Sequence, residues 1–151
     1  MPKTLQGRFR PKNPDKYKGD AGNIFYRSSW ERAFMRWADS NSSVLAWQSE
    51  EKVVWYYDPI AKKKRRYFPD FIIKYKNKDG IIMTEMIEVK PQAQVDGPPT
   101  NPKRRTAAWA RAVQTYITNQ AKWEAAKKFC EKKGWEFVII TEYELGLKKR
   151  K

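Results

Sequence analysis

Three residues near the middle of the chain have types and spacing that can do chemistry together: Asp70, Glu88 and Lys90. Glu88 and Lys90 lie two apart in the run 81–90, which predicts a strand, so both side chains leave the same face. Asp70 lies in a second such run, 67–75, where strand alternation puts Phe68, Asp70 and Ile72 on one face. A carboxylate inside an apolar strand is costly unless something positive offsets it. Between the runs, Asn77-Lys78-Asp79-Gly80 is a strong hairpin turn signal. With the turn centred near Asp79, residues whose numbers sum to about 158 face each other, which sets Asp70 against Glu88. Opposed carboxylates repel. A hard divalent cation between them removes the conflict, and Mg²⁺ is typically held by one or two carboxylates plus water and phosphate.

The rest of the composition bounds what such a cation could serve. The chain has 151 residues, the size of one domain able to bury a core, and 15% of them are aromatic, too many for a disordered basic tail. Lys and Arg total 32 against 17 acidic residues, and the formal charge of +15 attracts polyanions, nucleic acid being the commonest. Membrane surfaces and ribosomes are the competing partners. No apolar run approaches the ~20 residues of a membrane span, and the N-terminus lacks a hydrophobic signal core, so neither a membrane nor secretion is expected. Cys130 is the only cysteine and there is no histidine, which excludes an internal disulfide and a His-ligated zinc site. A metal here must have oxygen ligands. A reducing cytoplasm fits, with Cys130 an inert residue facing a helix core.

The elements that must position the three residues follow from periodicity. Residues 1–25 are basic (Lys3, Arg8, Arg10, Lys12, Lys16, Lys18) without clear period, and read as an arm or extended lead-in ordered by a partner. Trp30, Ala33, Phe34 and Trp37 predict an amphipathic helix from Ser28 or Ser29 to about Asp39, closed by residues 40–43. Residues 53–57 read as a strand and 58–66 as a loop with a basic cluster, while 91–102, with four prolines, read as a loop. Two helices are expected, 106–118 and 120–133, with Asn119 capping the second and Gly134 stopping it. Residues 135–141 form a short apolar strand covered on both faces, and 148–151 form a basic tail. The order helix, three strands, one or two helices, strand is a mixed α/β fold, a hairpin-rich sheet flanked by helices in one domain spanning 1–151.

Pro69-Asp70, followed after 17 residues by Glu88-Val89-Lys90, resembles the signature of the PD-(D/E)xK nuclease superfamily. Further stretches narrow the likeness: Tyr26-Arg27-Ser28-Ser29-Trp30-Glu31, Val44-Leu45-Ala46-Trp47, Ser49-Glu50-Glu51, Arg66-Tyr67-Phe68-Pro69-Asp70-Phe71, Ile87-Glu88-Val89-Lys90-Pro91, Lys122-Trp123 to Ala126, Phe129-Cys130 and Ile140-Thr141-Glu142. Over roughly residues 8 to 147 the chain is similar to the head completion nuclease family of T4-like tailed phages. It is also similar to the nuclease subunits of Tn7-like transposases, which commonly carry Gln where Glu88 stands.

The resemblance implies a restriction-endonuclease-like αβββαβ core and hydrolysis of DNA phosphodiesters with Mg²⁺ or Mn²⁺. Asp70, Glu88 and the backbone carbonyl of Val89 would hold the metal. Lys90 would orient or deprotonate the attacking water, and Glu31 would assist from the first helix, directly or through water. It further implies endonuclease action, with exonuclease action alongside, on packaged DNA during head completion and head–tail joining. The place would be the host cytoplasm or the virion head or neck, with portal or neck proteins as partners. Two rivals remain on these residues. One is a structure-selective nuclease such as a Holliday-junction resolvase; the other is a non-catalytic DNA-binding head or neck assembly protein. The intact Asp, Glu and Lys set favours catalysis over the latter, since a pure binder has no use for opposed carboxylates near phosphates.

Several residues carry a structural reading beside the functional one. Ser28-x-x-Glu31 is a capping box, in which Glu31 satisfies a backbone N–H, and this can coexist with a role at a metal. Glu88 and Lys90 could be a solvent-facing strand pair. Lys62, Lys63, Lys64, Arg65 and Arg66 are either a solvated loop or phosphate contacts, and Lys103, Arg104, Arg105 and Arg111 are candidates for the same groove. Trp30, Trp37 and Trp123 are expected in the core, and Trp55, Tyr56 and Tyr57 in sheet packing. Gln92 and Gln94 follow the Glu88 strand and are weaker candidates for substrate contact.

Overall fold

The computed structural model describes residues 5–148. In chain order it contains β1 (Gly7–Phe9), a 3₁₀ turn (Pro14–Lys16), β2 (Ile24–Tyr26), α1 (Ser29–Ser40), β3 (Val44–Ser49), β4 (Val54–Asp58), β5 (Lys63–Tyr67), β6 (Phe71–Lys76), β7 (Ile82–Val89), α2 (Gln92–Asp96), α3 (Ala107–Lys133) and β8 (Glu136–Ile140). The central sheet runs β3-β6-β7-β8. Its first two pairings are antiparallel, whereas β8 returns through α3 to lie parallel to β7. The mixed α/β architecture expected from the element order is present.

The sheet separates two cores because strand side chains alternate. Phe71, Ile73, Ile87 and Val89 join Phe34, Met35 and Ala38 of α1, with Phe9, Tyr17, Ile24 and Trp47. Ile72 and Met86 point the other way, against Trp123, Ala126 and Cys130 of α3 and the inner residues Val54, Tyr56 and Tyr67 of the β4–β5 hairpin. Glu88, in step with Met86, therefore faces the α3 side.

The β6–β7 hairpin has the expected register. Asn77 Oδ1 accepts from the N–H groups of Asp79 and Ile81, both at 2.9 Å, and Gly80 supplies the positive φ of 76° that closes the turn. Phe71 pairs with Ile87 and Lys76 with Ile82, each couple summing to 158. The first helix also begins as expected, with Ser28 Oγ accepting from the Glu31 N–H at 3.2 Å.

Other expectations are corrected. The run 67–75 is two strands: buried Pro69 has no N–H for a ladder, and Asp70 lies in the bend before β6. Residues 63–67 are strand and not loop, so the basic cluster stands largely on a hairpin arm. The two expected helices are one: no Gly or Pro interrupts α3, Thr106 caps it, and Asn119 is buried mid-helix. Gly134 does end it, in a left-handed conformation. A short helix occupies part of the 91–102 loop. β8 is half-buried and not fully covered. The lead-in is packed and not an open arm: Phe9, Tyr17 and Ile24 are buried, with Phe9 and Tyr17 edge-on to Trp47. Lys3 and residues 149–151 of the basic tail lie outside the described residues.

Candidate active site

The bend at Pro69 delivers Asp70 to the end of β7. Asp70 Oδ2 accepts from the Val89 N–H at 2.8 Å, which pins the carboxylate to the backbone between Glu88 and Lys90. Glu88 is buried, accepts from the Tyr67 hydroxyl at 2.7 Å through Oε1, and has Lys90 Nζ 3.5 Å from Oε2. Glu88 and Lys90 are thus not a solvent-facing pair. Val89 uses its N–H for Asp70 and buries its side chain in the α1-side core.

The electrostatics of this cluster are unbalanced. Asp70 is held well above the usual carboxylate range, first by burial, then by the charge of Glu88, with Glu31 adding to it. The Val89 N–H and Lys90 act against this rise without cancelling it. Glu31 is buried, and burial pushes its own carboxyl up, with Glu50 contributing. Glu31 stands both at the start of α1 and within electrostatic reach of Asp70. It opens α1 beside Ser28 and accepts from the Arg27 N–H at 3.5 Å, not from that of Ser28, while its charge reaches Asp70.

A cleft of about 520 Å³ opens over these groups, lined by Arg27, Glu50, Arg66, Tyr67, Phe68, Asp70, Glu88 and Lys122. Lys122, on α3, has no signal in the spacing of the sequence beyond its place in the family resemblance, because only the long-range packing of α3 brings it here. Burial holds its ammonium below the ordinary lysine range, Lys90 adds to the depression, and Glu88 opposes it. The ammonium sits 5.9 Å and 5.7 Å from the ring centres of Tyr56 and Tyr67. Arg27, paired with Glu50, also lines the cleft and has no signal in the spacing.

Of the expected basic contacts, Arg66 lines the cleft. Arg65 lies 3.6 Å from Asp58 instead. Lys62, Lys63 and Lys64 are exposed on the hairpin. Arg111 lines an adjoining depression that also contains Thr115, Thr118 and Lys122, a stripe on one side of α3 leading away from the carboxylates. Lys103, Arg104 and Arg105 are exposed on the segment before α3 and line neither depression, with Arg105 over the Trp109 ring at 5.7 Å. Gln92 and Gln94 are not at the cleft: Gln92 bonds Glu142 and Asp96, and Gln94 lines a separate apolar pocket. Among the aromatics, Trp123 and Tyr56 are buried as expected, but Trp37, Trp55 and Tyr57 are exposed.

Among the described residues no three of His, Cys, Asp and Glu are gathered closely enough to cage a metal by themselves. The donor chemistry is nonetheless that of a hard cation: two adjacent carboxylates in a poorly solvated position, with excess negative charge and only oxygen donors. That set leaves coordination positions for water and phosphate.

A mixed sheet presenting paired carboxylates at its end, with a lysine two residues on, defines a restriction-endonuclease-like fold, and residues 41–142 match the model of the TnsA-like endonuclease N-terminal domain. The chain belongs to that endonuclease family. It is also 39% identical over 143 residues to the head completion nuclease of Enterobacteria phage T4, covering 92% of each chain.

Proposed function

We propose that this protein is a divalent-metal-dependent DNA nuclease that acts on packaged DNA during head completion of a tailed phage. The observation that carries the reading is the Asp70–Glu88 pair, fixed by the Val89 N–H and the Tyr67 hydroxyl with Lys90 at 3.5 Å. The named T4 relative, alike over nearly the whole chain, supports the head-completion role. Asp70, Glu88 and the Val89 carbonyl would hold Mg²⁺ or Mn²⁺, which when bound supplies Lewis-acid stabilisation of charge on the phosphate. Glu31 would act from behind Asp70, adding negative charge that strengthens the hold on a cation. The two cores share one sheet, which supports reading the chain as one nuclease domain.

The chain's own residues then divide the work. Arg66 and Lys122 face the cleft from two sides and hold phosphate oxygens, with Arg111 extending the same track along α3. Lys90 positions the water whose oxygen attacks phosphorus. As that P–O bond forms, the bond to the leaving sugar oxygen breaks; the attacking water gives its proton to solvent, and the leaving oxygen takes one from solvent. The Glu88 carboxylate, 3.5 Å from the Lys90 ammonium, keeps it aimed, while Tyr67 keeps Glu88 in one rotamer. This reading places the protein in the host cell during assembly, and a DNA end at the portal or neck is where it would act.

The test is incubation of the full chain with supercoiled, linear and branched DNA, with Mg²⁺ or with chelator, beside Asp70→Asn. Cleavage that needs the cation and disappears in the variant, while the variant still binds DNA, is expected. Cutting in chelator, or undiminished cutting by Asp70→Asn, would overturn the site. Cutting of branched DNA alone would replace head completion by junction resolution.

A further inference from the structure

The β4–β5 hairpin has two unlike faces. Val54, Tyr56 and Tyr67 turn inward onto α3, while Trp55 and Tyr57 turn outward and are 61% and 57% exposed. Register sets a cation directly across from each ring: Trp55 opposite Arg66, and Tyr57 opposite Lys64. The outer face is therefore a two-by-two patch of aromatic rings and cations. It continues into the cleft, because Arg66 and the 43% exposed Phe68 both line the cleft wall. The hairpin is braced for this: Asp58 accepts from the Ile60 and Ala61 N–H groups at 2.9 and 3.1 Å, and Tyr67 anchors its base to Glu88.

We propose that this outer face is a binding platform for unpaired nucleotides of DNA, with bases stacking on Trp55 and Tyr57 while Arg66 and Lys64 take the phosphates. The proposal rests on the nuclease reading for its substrate class and goes beyond it in naming single-stranded DNA beside the cut. Exposed rings expose apolar area to water at a cost unless a partner covers them. The flanking cations match a polyanion, and bases are the one part of a polyanionic strand with flat apolar faces. Two residues along a strand separate the rings by about 7 Å, twice the ~3.4 Å step of stacked bases in a duplex. Bases locked in a duplex therefore do not meet both rings, whereas a strand with its bases splayed does. The nuclease would then prefer DNA whose end or junction frees a few nucleotides next to the cleft.

The test is equilibrium binding by the full chain in chelator, with a labelled short oligothymidylate and a blunt duplex of the same length as probes. Trp55→Ala with Tyr57→Ala should weaken oligothymidylate binding roughly tenfold or more, on the usual worth of base–aromatic stacking, and weaken duplex binding far less. Trp55→Phe with Tyr57→Phe should restore most of the loss, since a ring and not a particular side chain is required. Unchanged oligothymidylate affinity, equal weakening of both probes, or failure of the Phe pair to restore binding would overturn the platform. Plasmid cutting by the unaltered protein reads the nuclease assignment separately. A protein that cuts but loses no single-strand affinity refutes the platform alone, and one that loses single-strand affinity but never cuts refutes the nuclease alone.

Discussion

Asp70→Asn should make the metal-free protein less sensitive to pH and, at neutral pH, more stable, even as cleavage is lost. The Asp70 carboxyl sits well above its ordinary range in the fold because of burial and the neighbouring Glu88. A carboxyl raised on folding is protonated in the native state while the unfolded chain has already released its proton. Its stability contribution is full below the unfolded value near pH 4 and is lost as pH rises through the folded value. One proton sets the ceiling of the slope, about 1.4 kcal/mol per pH unit. For a domain of this size that is about 3–6 °C in Tm per pH unit above pH 4. Asparagine keeps an oxygen for the Val89 N–H, now 2.8 Å from Oδ2, so the hydrogen bond survives and only the charge is removed. Glu31, also raised by burial, keeps a slope of the same sign in the variant. The assay is thermal unfolding from pH 4 to pH 8 in chelator, repeated with Mg²⁺. Binding at a hundred times Kd adds about 2.7 kcal/mol to the unaltered protein and should add almost nothing to the variant. Parallel Tm–pH curves for the two proteins, or equal stabilisation of both by Mg²⁺, would refute the account of a frustrated carboxylate pair.

Lys90→Ala should lower the single-turnover cleavage rate at saturating protein by roughly a hundredfold or more, with little change in DNA Kd, since one of 32 basic residues contributes little to binding. A defect that vanishes at saturation would reassign Lys90 to binding. Tyr67→Phe removes the 2.7 Å hydrogen bond to Glu88; a bond to a charged group contributes about 1.5–3 kcal/mol, so Tm should drop by about 3–12 °C. Thermal melts in chelator measure it, and an unchanged Tm would show that the cleft hydrates Glu88 as well as Tyr67 does.

The parts of the fold legible in the sequence are those fixed by neighbours close in the chain. The Ser28 cap with its Trp30–Phe34 stripe, and the Asn77–Gly80 turn with the register that brings Asp70 toward Glu88, are of this kind. β3 has no local signature of its own although Val44 to Trp47 is apolar, because its partner β6 lies more than twenty residues on. The break at Pro69 is hidden by an apolar pattern that runs through it; only the assembled sheet shows Tyr67 pairing with Val54 and Phe71 with Ile87. Phe9, Tyr17 and Ile24 are spaced among Gly, Pro and Lys with no period, and their burial depends on Trp47, a long-range partner. The same holds at the site. The acidic pair is encoded in one hairpin, whereas Lys122 and Arg27 reach the cleft only through tertiary packing.

β7, which carries Glu88 and ends just before Lys90, acquires its second neighbour only from β8, across the α3 crossover. Glu88 pairs across to Ile139, and the Lys90 N–H donates to the Ile140 carbonyl at 2.9 Å. At typical synthesis rates the fifty or so residues between them take roughly 3–10 s to make. Throughout that interval the hairpin carrying Asp70 and Glu88 has an open edge where β8 will lie, and α3 has not yet covered its other face. The strand that carries Glu88 is therefore made well before its parallel partner, and the candidate site is complete only once β8 docks, a delay written into the parallel connection itself.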